Sequence, residues 1–202
     1  MGRLHQIQEA VRRRAEEIAS NHENWPCRKG CDDCCRQLAS APRVTREEWQ
    51  PIAPAIDALP GRTAELVRRR IEDSTTASRP VICPLLDRDC GTCLVYEARP
   101  VACRAYGFYA ERQYVLGCSR IESMGRELPD IVWGNHAALE EHLRSLGADA
   151  TFAEWLAAAT PAAGPTWDLL SPPATPVPDK LPKQPPAGAR LPPADSPRPA
   201  DR

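Results

Sequence analysis

The sequence predicts a small α+β domain, mostly α with short strands and irregular loops, followed by a disordered Pro-rich C-terminal tail. Helical periodicity at both ends, a central stretch broken by Pro, Gly and Asp, and 13 of the 22 prolines after residue 160 support this fold class. Aromatic residues are only 5% of the 202 residues, so the core is expected to be small. The expected segments are an N-terminal amphipathic helix (1–24), a cysteine-rich domain (25–120), C-terminal helices packing on it (121–160) and the tail (161–202).

Hydrophobic spacing and capping signals place the helices. Apolar residues at intervals of three and four predict an amphipathic helix over residues 3–21. Thr45 and Glu48 form a capping box at the start of a short helix, which Pro51 and Pro54 are expected to limit. Further helices are expected over 63–75, 131–146 and 152–159.

Residues 79–120 have a different pattern of apolar and turn-forming residues from the helical segments. Short apolar pieces at 81–82, 85–86, 94–96 and 114–116 alternate with turn residues, which predicts short strands and turns. The tail from residue 161 is too polar and Pro-rich to form an ordered structure. Its residues 182–185 fit the loose P-x-x-P pattern of polyproline segments that protein partners bind.

Charge and hydropathy argue against two classes of partner. Lys and Arg number 26 and Asp and Glu 27, so no basic excess indicates nucleic-acid binding. No apolar stretch approaches the roughly 18 residues of a membrane span, and the first residues lack the apolar run of a signal peptide. We therefore expect a cytoplasmic protein with reduced thiols, no membrane partner and no nucleic-acid partner.

The nine cysteines are the main candidates for functional residues. They stand at positions 27, 31, 34, 35, 83, 90, 93, 103 and 118. Their odd number and the expected reducing compartment argue against a disulfide framework, and their crowding favours binding of a metal or cluster. A thioredoxin-like redox pair is the alternative for Cys90 and Cys93, but no helical pattern follows them.

Spacing suggests how the thiols meet. If residues 27–34 are helical, Cys27, Cys31 and Cys34 share one face and Cys35 points about 100° away. Glycine in Cys90-Gly-Thr-Cys93 permits a tight turn in which both sulfurs face one point. The spacing of Cys27, Cys31 and Cys34 also resembles the cluster motif of radical S-adenosylmethionine enzymes, but the extra cysteine and the short ordered region depart from that family.

The order of the motifs resembles the YkgJ-type cysteine-cluster family. They are C-x3-C-x2-C-C from Cys27, Cys83-Pro-Leu-Leu, Cys90-x2-Cys93-Leu-Val-Tyr, and Arg99-Pro-x2-Cys103-Arg. The resemblance implies a zinc- or iron-chelating domain with eight ligands: Cys27, Cys31, Cys34, Cys35, Cys83, Cys90, Cys93 and Cys103. Cys118 is then an auxiliary ligand or a free thiol. Flagellin lysine methylases carry a related domain, so the resemblance leaves enzymatic activity open.

The neighbours of the cysteines suit a negatively charged thiolate centre. Several cationic residues lie within five positions of a cysteine: Arg28, Lys29, Arg36, Arg88, Arg99, Arg104 and Arg120. Of these, Arg104 is the strongest candidate to compensate charge there. The tyrosines between Tyr96 and Tyr114 are expected to pack around the site together with Phe108. Metal binding would then stabilise the fold of a domain whose hydrophobic core is otherwise small.

Zinc and iron both remain open as the cofactor. Cysteine-only ligand sets hold structural zinc and iron–sulfur clusters alike, and the C-x3-C-x2-C-C run favours a cluster slightly. No phosphate-binding loop, serine-hydrolase or zinc-protease motif is present, so catalytic residues are unknown. The main expectation is a metal-binding protein, and the alternative is an iron–sulfur enzyme or maturation factor performing redox or group-transfer chemistry.

Overall fold

The computed structural model describes residues 2–159 and confirms an α+β fold dominated by helices. The helices are α1 (Arg3–Asn21), α2 (Asp33–Arg36), α3 (Arg46–Asp57), α4 (Gly61–Asp73), α5 (Val101–Ala105), α6 (Ser119–Glu127), α7 (His136–Arg144) and α8 (Phe152–Ala159), with a 3-10 turn at Tyr96–Ala98. The strands are β1 (Arg43–Thr45), β2 (Leu86–Asp87), β3 (Thr92–Cys93), β4 (Tyr109–Glu111), β5 (Tyr114–Val115), β6 (Gly134–Asn135) and β7 (Asp149–Thr151). Across residues 2–159, every helix is too short or too polar to cross a bilayer. The disordered tail expected from residue 161 lies outside the described residues.

The strands form three small sheets that hold distant segments together. Strand β1 pairs antiparallel with β7, with Val44 opposite Ala150. This pairing joins the residues after the first cysteine segment (27–35) to helix α8; the second cysteine segment is 83–103. Strands β2 and β3 form an antiparallel pair around the Cys90–Cys93 turn. Strand β4 lies between β5, which is antiparallel to it, and β6, which is parallel.

Two hydrophobic cores support the cysteine segments. The first core packs α1 against α5, α6 and α7, with Val11, Val101 and Ile121 fully buried in it. The second core packs α3, α4 and α8 around Ile52 and Phe152 and takes in Cys83. Residues of the cysteine-rich domain contribute to both cores, since its middle part joins the second and its last part joins the first.

Helix α3 corrects one sequence expectation. Pro51 and Pro54 do not limit it, because the helix continues through both prolines to Asp57. A proline inside a helix loses one backbone hydrogen bond and costs about 3 kcal/mol. Burial of Trp49, Ile52 and Ile56 on the same helix offsets that cost.

The other expected elements have mixed outcomes. Helix α1 covers the expected 3–21 range, α8 covers 152–159, and α4 lies within two residues of its expected bounds. The expected 131–146 helix is shorter, since α7 spans only His136–Arg144. The expected strand at 94–96 is absent and a 3-10 turn begins at Tyr96. Helices α5 and α6 were not expected, and each is short.

Candidate metal centre

The first cysteine segment is a turn followed by a short helix. Gly30 has φ +91°, which is the left-handed region that glycine favours, and Cys31 N–H donates to Arg28 O at 3.0 Å. Helix α2 begins only at Asp33, so Cys27, Cys31 and Cys34 do not share a helix face. The turn brings them together by another route.

A cavity of about 320 Å³ lies between α1 and the cysteine segments. Cys27, Cys31 and Cys34 line it from the first segment, and Cys103 lines it from α5. Cysteines from both cysteine segments therefore line one cavity. The remaining lining residues are Arg12, Ala15, Glu16, Ala19, Arg28, Tyr96, Arg99, Arg104, Tyr106 and Phe108.

Cys35 turns away from the cavity and packs against the second core. Its sulfur lies 4.0 Å from that of Cys34, and its backbone carbonyl accepts from Cys83 N–H at 2.7 Å. Cys83 is buried in the second core, and Cys93 packs against the same core. The predicted divergence of Cys34 and Cys35 is therefore present, although a long helix does not cause it.

Cys90 has different surroundings from the other expected ligands. The tight turn does form, with Gly91 at φ +69°, but Cys93 is half-buried and Cys90 is exposed. The Cys90 sulfur lies 3.0 Å from Thr92 Oγ1, and its backbone N–H donates to Asp87 Oδ1. The turn thus ties Cys90 to its immediate neighbours in the chain.

Cys118 occupies the residue before α6 and lies near the first segment. Its side chain packs against the first core, as does that of Cys27. Arg120 Nη2 donates to Cys31 Sγ at 3.3 Å and forms an ion pair with Asp33. Sequence reasoning left Cys118 undecided because no ligand motif surrounds it.

The environment keeps several thiols neutral. Burial raises the pKa of Cys27 to about 12, helped by Cys31 and Cys118. The pKa of Cys34 is raised first by its hydrogen bond with Cys35 and then by burial. For Cys35, the hydrogen bond with Cys34 lowers the pKa, but the hydrogen bond with Cys83 and burial outweigh it and raise the pKa to about 12.

The pKa values of Cys93 and Cys103 are raised as well. Burial raises the pKa of Cys93. Cys103 has exposed surface where it lines the cavity, yet protein atoms surround its sulfur, and this desolvation raises its pKa to about 12. Because thiolates are the ligand form, a metal must displace these protons on binding.

Cationic side chains surround the cavity, but their roles differ from expectation. Arg104 lines the cavity, yet its guanidinium donates to the backbone carbonyls of Arg99 and Glu97 and not to a sulfur. Burial lowers its pKa. Arg120, by contrast, donates to the sulfur of Cys31. The guanidinium of Arg99 stacks over the Tyr96 ring, 3.5 Å from its centre.

The aromatic residues divide in the same way. Tyr96, Tyr106 and Phe108 line the cavity as expected. Tyr109 is buried in the first core instead, and Tyr114 is 69% exposed. The expectation that all the tyrosines surround the site is therefore wrong for Tyr114, which belongs to a surface hairpin.

The donor chemistry fits a thiolate-bound metal, although the thiols do not converge on one point. Within residues 2–159, no three His, Cys, Asp or Glu side chains stand at the spacing of a metal site. All nine cysteines are free of disulfides. Soft thiolate donors select zinc or iron–sulfur centres, and the thiols line a space that such a centre would occupy.

Comparison with known proteins gives a family for this region. No curated protein and no solved structure matches the chain. Residues 26–122 match the CxxCxxCC family, whose description reads "Putative zinc- or iron-chelating domain". This match covers all nine cysteines and confirms the cysteine-cluster family that the motifs indicated. Residues 26–122 of this protein therefore match the CxxCxxCC family model, which is described as a putative zinc- or iron-chelating domain.

Proposed function

We propose that the protein binds an iron–sulfur cluster through thiolates that its two cysteine segments bring together. The observation that carries the proposal is the cavity of about 320 Å³ into which thiols of both segments face. The family match supports metal chelation in general, and the cavity supports the choice of metal centre.

The size of the cavity favours a cluster over a single zinc ion. Zinc–sulfur bonds of about 2.3 Å place the sulfurs of a tetrahedral site about 3.8 Å apart, with no free volume between them. The observed cavity of about 320 Å³ leaves room for a polynuclear centre of iron and sulfide between the cysteine segments.

The charge around the cavity suits a thiolate centre, whether it holds zinc or a cluster. A cluster with four thiolate ligands carries a net negative charge, which the protein must compensate. Arg12 already forms ion pairs with Glu9 and Glu16, so compensation falls to Arg28, Arg99 and Arg104, which line the cavity.

Structural zinc is the second candidate because one sulfur pair has a suitable distance. The Sγ atoms of Cys34 and Cys35 lie 4.0 Å apart, close to the spacing of two ligands on one zinc ion. Cysteine-only sites of this kind are common for zinc in small domains. The two candidates differ in colour and in metal content.

The test is anaerobic purification followed by visible absorbance and assays for iron, acid-labile sulfide and zinc. We expect a brown protein containing iron and sulfide, and a double variant Cys27→Ser, Cys34→Ser that loses both. A colourless protein with stoichiometric zinc would replace the cluster by a zinc site. A protein without metal, with oxidised thiols, would overturn both candidates.

An enzymatic or maturation role is a second proposed function, and a neighbouring groove favours it. A shallow surface groove of about 440 Å³ is lined by Arg28, Ser119, Arg120 and Ser123, among others. Such a groove offers space for a substrate next to the cluster. Reversible one-electron reduction of the folded protein would support redox chemistry, whereas a cluster lost on reduction would leave a structural role.

The proposed setting is the reducing cytoplasm. Nine free thiols, several of them half-buried, are compatible with that compartment. Binding of a protein partner by the Pro-rich tail also remains a prediction, to be tested with the isolated tail peptide.

A further inference from the structure

We infer that the cavity between α1 and the cysteine segments also binds a small oxyanion, a carboxylate or a phosphate, through arginines of its wall. The arginines that carry the inference are Arg28, Arg99 and Arg104, all of which line the cavity. The inference deepens the proposed function, because it gives the chemical class of a substrate for that site. The role of the anion as a substrate rests on the proposed function, whereas its binding is tested separately.

The charges on the cavity wall do not balance. Four arginines line the cavity together with one carboxylate, that of Glu16. Glu16 forms an ion pair with Arg12. In the described part of the chain, Arg28, Arg99 and Arg104 form no ion pair with a carboxylate. Three cationic side chains at one cavity are therefore available to an anion.

Arg99 is held in place with two donor groups to spare. Its guanidinium stacks over the Tyr96 ring, 3.5 Å from the ring centre, and its Nε donates to the Tyr96 carbonyl at 2.9 Å. Neither Nη atom donates to another of the residues 2–159. A guanidinium presents its N–H groups as a planar fork that matches two oxygens of a carboxylate or phosphate. Because this fork is fixed before binding, less entropy is lost when the anion binds.

Arg104 brings a second guanidinium to the same wall. Its Nε donates to the Arg99 carbonyl at 2.9 Å, and its Nη2 donates to the Glu97 carbonyl. Both bonds tie this guanidinium to the segment that carries Arg99. Arg99 and Arg104 are half-buried, and attraction between charges is stronger there than at an open surface. An anion in the cavity therefore gains more from these two arginines than from exposed ones.

Arg28 connects the cavity with the protein surface. It lies in the turn of the first cysteine segment, is exposed, and lines both the cavity and the shallow surface groove. The groove therefore adjoins the cavity at this residue. Cationic side chains at a cleft raise the local concentration of anions, so Arg28 favours entry of an anion from the groove.

A metal centre in the cavity would offset only part of the positive charge. Four thiolates around Zn²⁺ leave about two net negative charges. The three arginines without a carboxylate partner exceed that charge. A singly charged group such as a carboxylate beside the centre would balance the remainder.

The first test is isothermal titration of the full chain with sodium phosphate and, separately, with sodium succinate. The protein is purified anaerobically with a thiol reductant, and sodium chloride keeps the ionic strength constant because salt screens charge. We expect saturable binding of one anion per chain, and the tighter of the two probes identifies the anion as a phosphate or a carboxylate. Absence of saturable binding of both probes would overturn the inference.

The second test places the anion by substitution. We expect Arg99→Gln to weaken binding about tenfold, because a charged fork is lost, and Arg99→Lys to weaken it less, because the charge remains. Arg28→Gln should weaken it about threefold, since Arg28 is exposed. Arg69→Gln is the matched control, because it removes the same charge from an exposed position of α4 outside the cavity lining. Unchanged binding in Arg99→Gln, or equal weakening in Arg69→Gln, would overturn the inference.

Metal content measured in the same samples separates this inference from the proposed function. A chain that binds the anion but contains no metal would overturn the metal proposal and support the anion site. A chain that contains metal but binds neither probe would overturn the anion site alone.

Discussion

The carboxylate of Glu48 accepts a hydrogen bond from the backbone N–H of Val101 at 2.9 Å. Val101 is the first residue of α5, the helix that carries Cys103. The second oxygen of Glu48 accepts from Thr45 N–H and Thr45 Oγ1, and the side chain is only 4% exposed. One buried carboxylate therefore caps α3 and also holds the start of α5.

Replacing Glu48 with alanine is expected to lower the free energy of unfolding by about 3 kcal/mol. The loss removes hydrogen bonds to a charged acceptor and leaves buried N–H groups at Thr45 and Val101 without partners. Urea unfolding of the metal-free protein measures it. Glu47→Ala on the same helix turn is the control, with an expected cost below about 1 kcal/mol. Equal effects of the two substitutions would contradict the bridging role of Glu48.

Alanine at Gly107 is expected to impair metal binding as well as stability. The backbone there has φ +85°, and the new Cβ would collide with Cys27 Sγ. Gly147 has φ +118° with nothing within 4 Å, so Gly147→Ala introduces backbone strain alone, costing about 1–2 kcal/mol. Gly107→Ala should cost about 1–3 kcal/mol more because of the overlap, and should lower the metal content. Thermal melts and metal analysis of both variants provide the measurement, and equal metal content would refute the contact.

The pH dependence of stability should reveal a second capping box at the start of α8. Hydrogen bonds from Thr151 hold the pKa of Glu154 below its ordinary value of 4.5. A lowered folded-state pKa contributes stability above pH 4.5 that is lost as the pH falls through the folded value. Because Glu154 is exposed, the free energy of unfolding of the wild type should exceed that of Glu154→Gln by less than about 1 kcal/mol at pH 7. Urea unfolding at pH 7, 5 and 3 checks this, and a difference that stays constant to pH 3 would contradict it.

Removing residues 165–202 is expected to leave metal content and unfolding temperature unchanged. All nine cysteines and both cores precede that segment. Elemental analysis and thermal melts of the shortened chain test the expectation. A large loss of either quantity would show that the tail contributes to the domain.

Local signals in the sequence predicted much of the fold. Helix α1 and the Thr45–Glu48 capping box follow from side-chain spacing within a few residues, and both are present. The Thr151–Glu154 box has the same spacing and could have been found in the same way. Pro51 and Pro54 misled the prediction of α3, because the burial that offsets their cost depends on the second core.

By itself, the sequence determined that thiols crowd two segments, that these segments lack histidine partners within the motifs and that residues 26–122 match a family described as a putative zinc- or iron-chelating domain. Only the tertiary structure decided how the thiols are arranged. Spacing along a chain constrains side chains within about one turn of structure, whereas the approach of α6 to the first segment arises from packing in the first core. For that reason Cys118 packs against the same core as Cys27, while Cys90, part of a recognisable motif, is left exposed at its own turn.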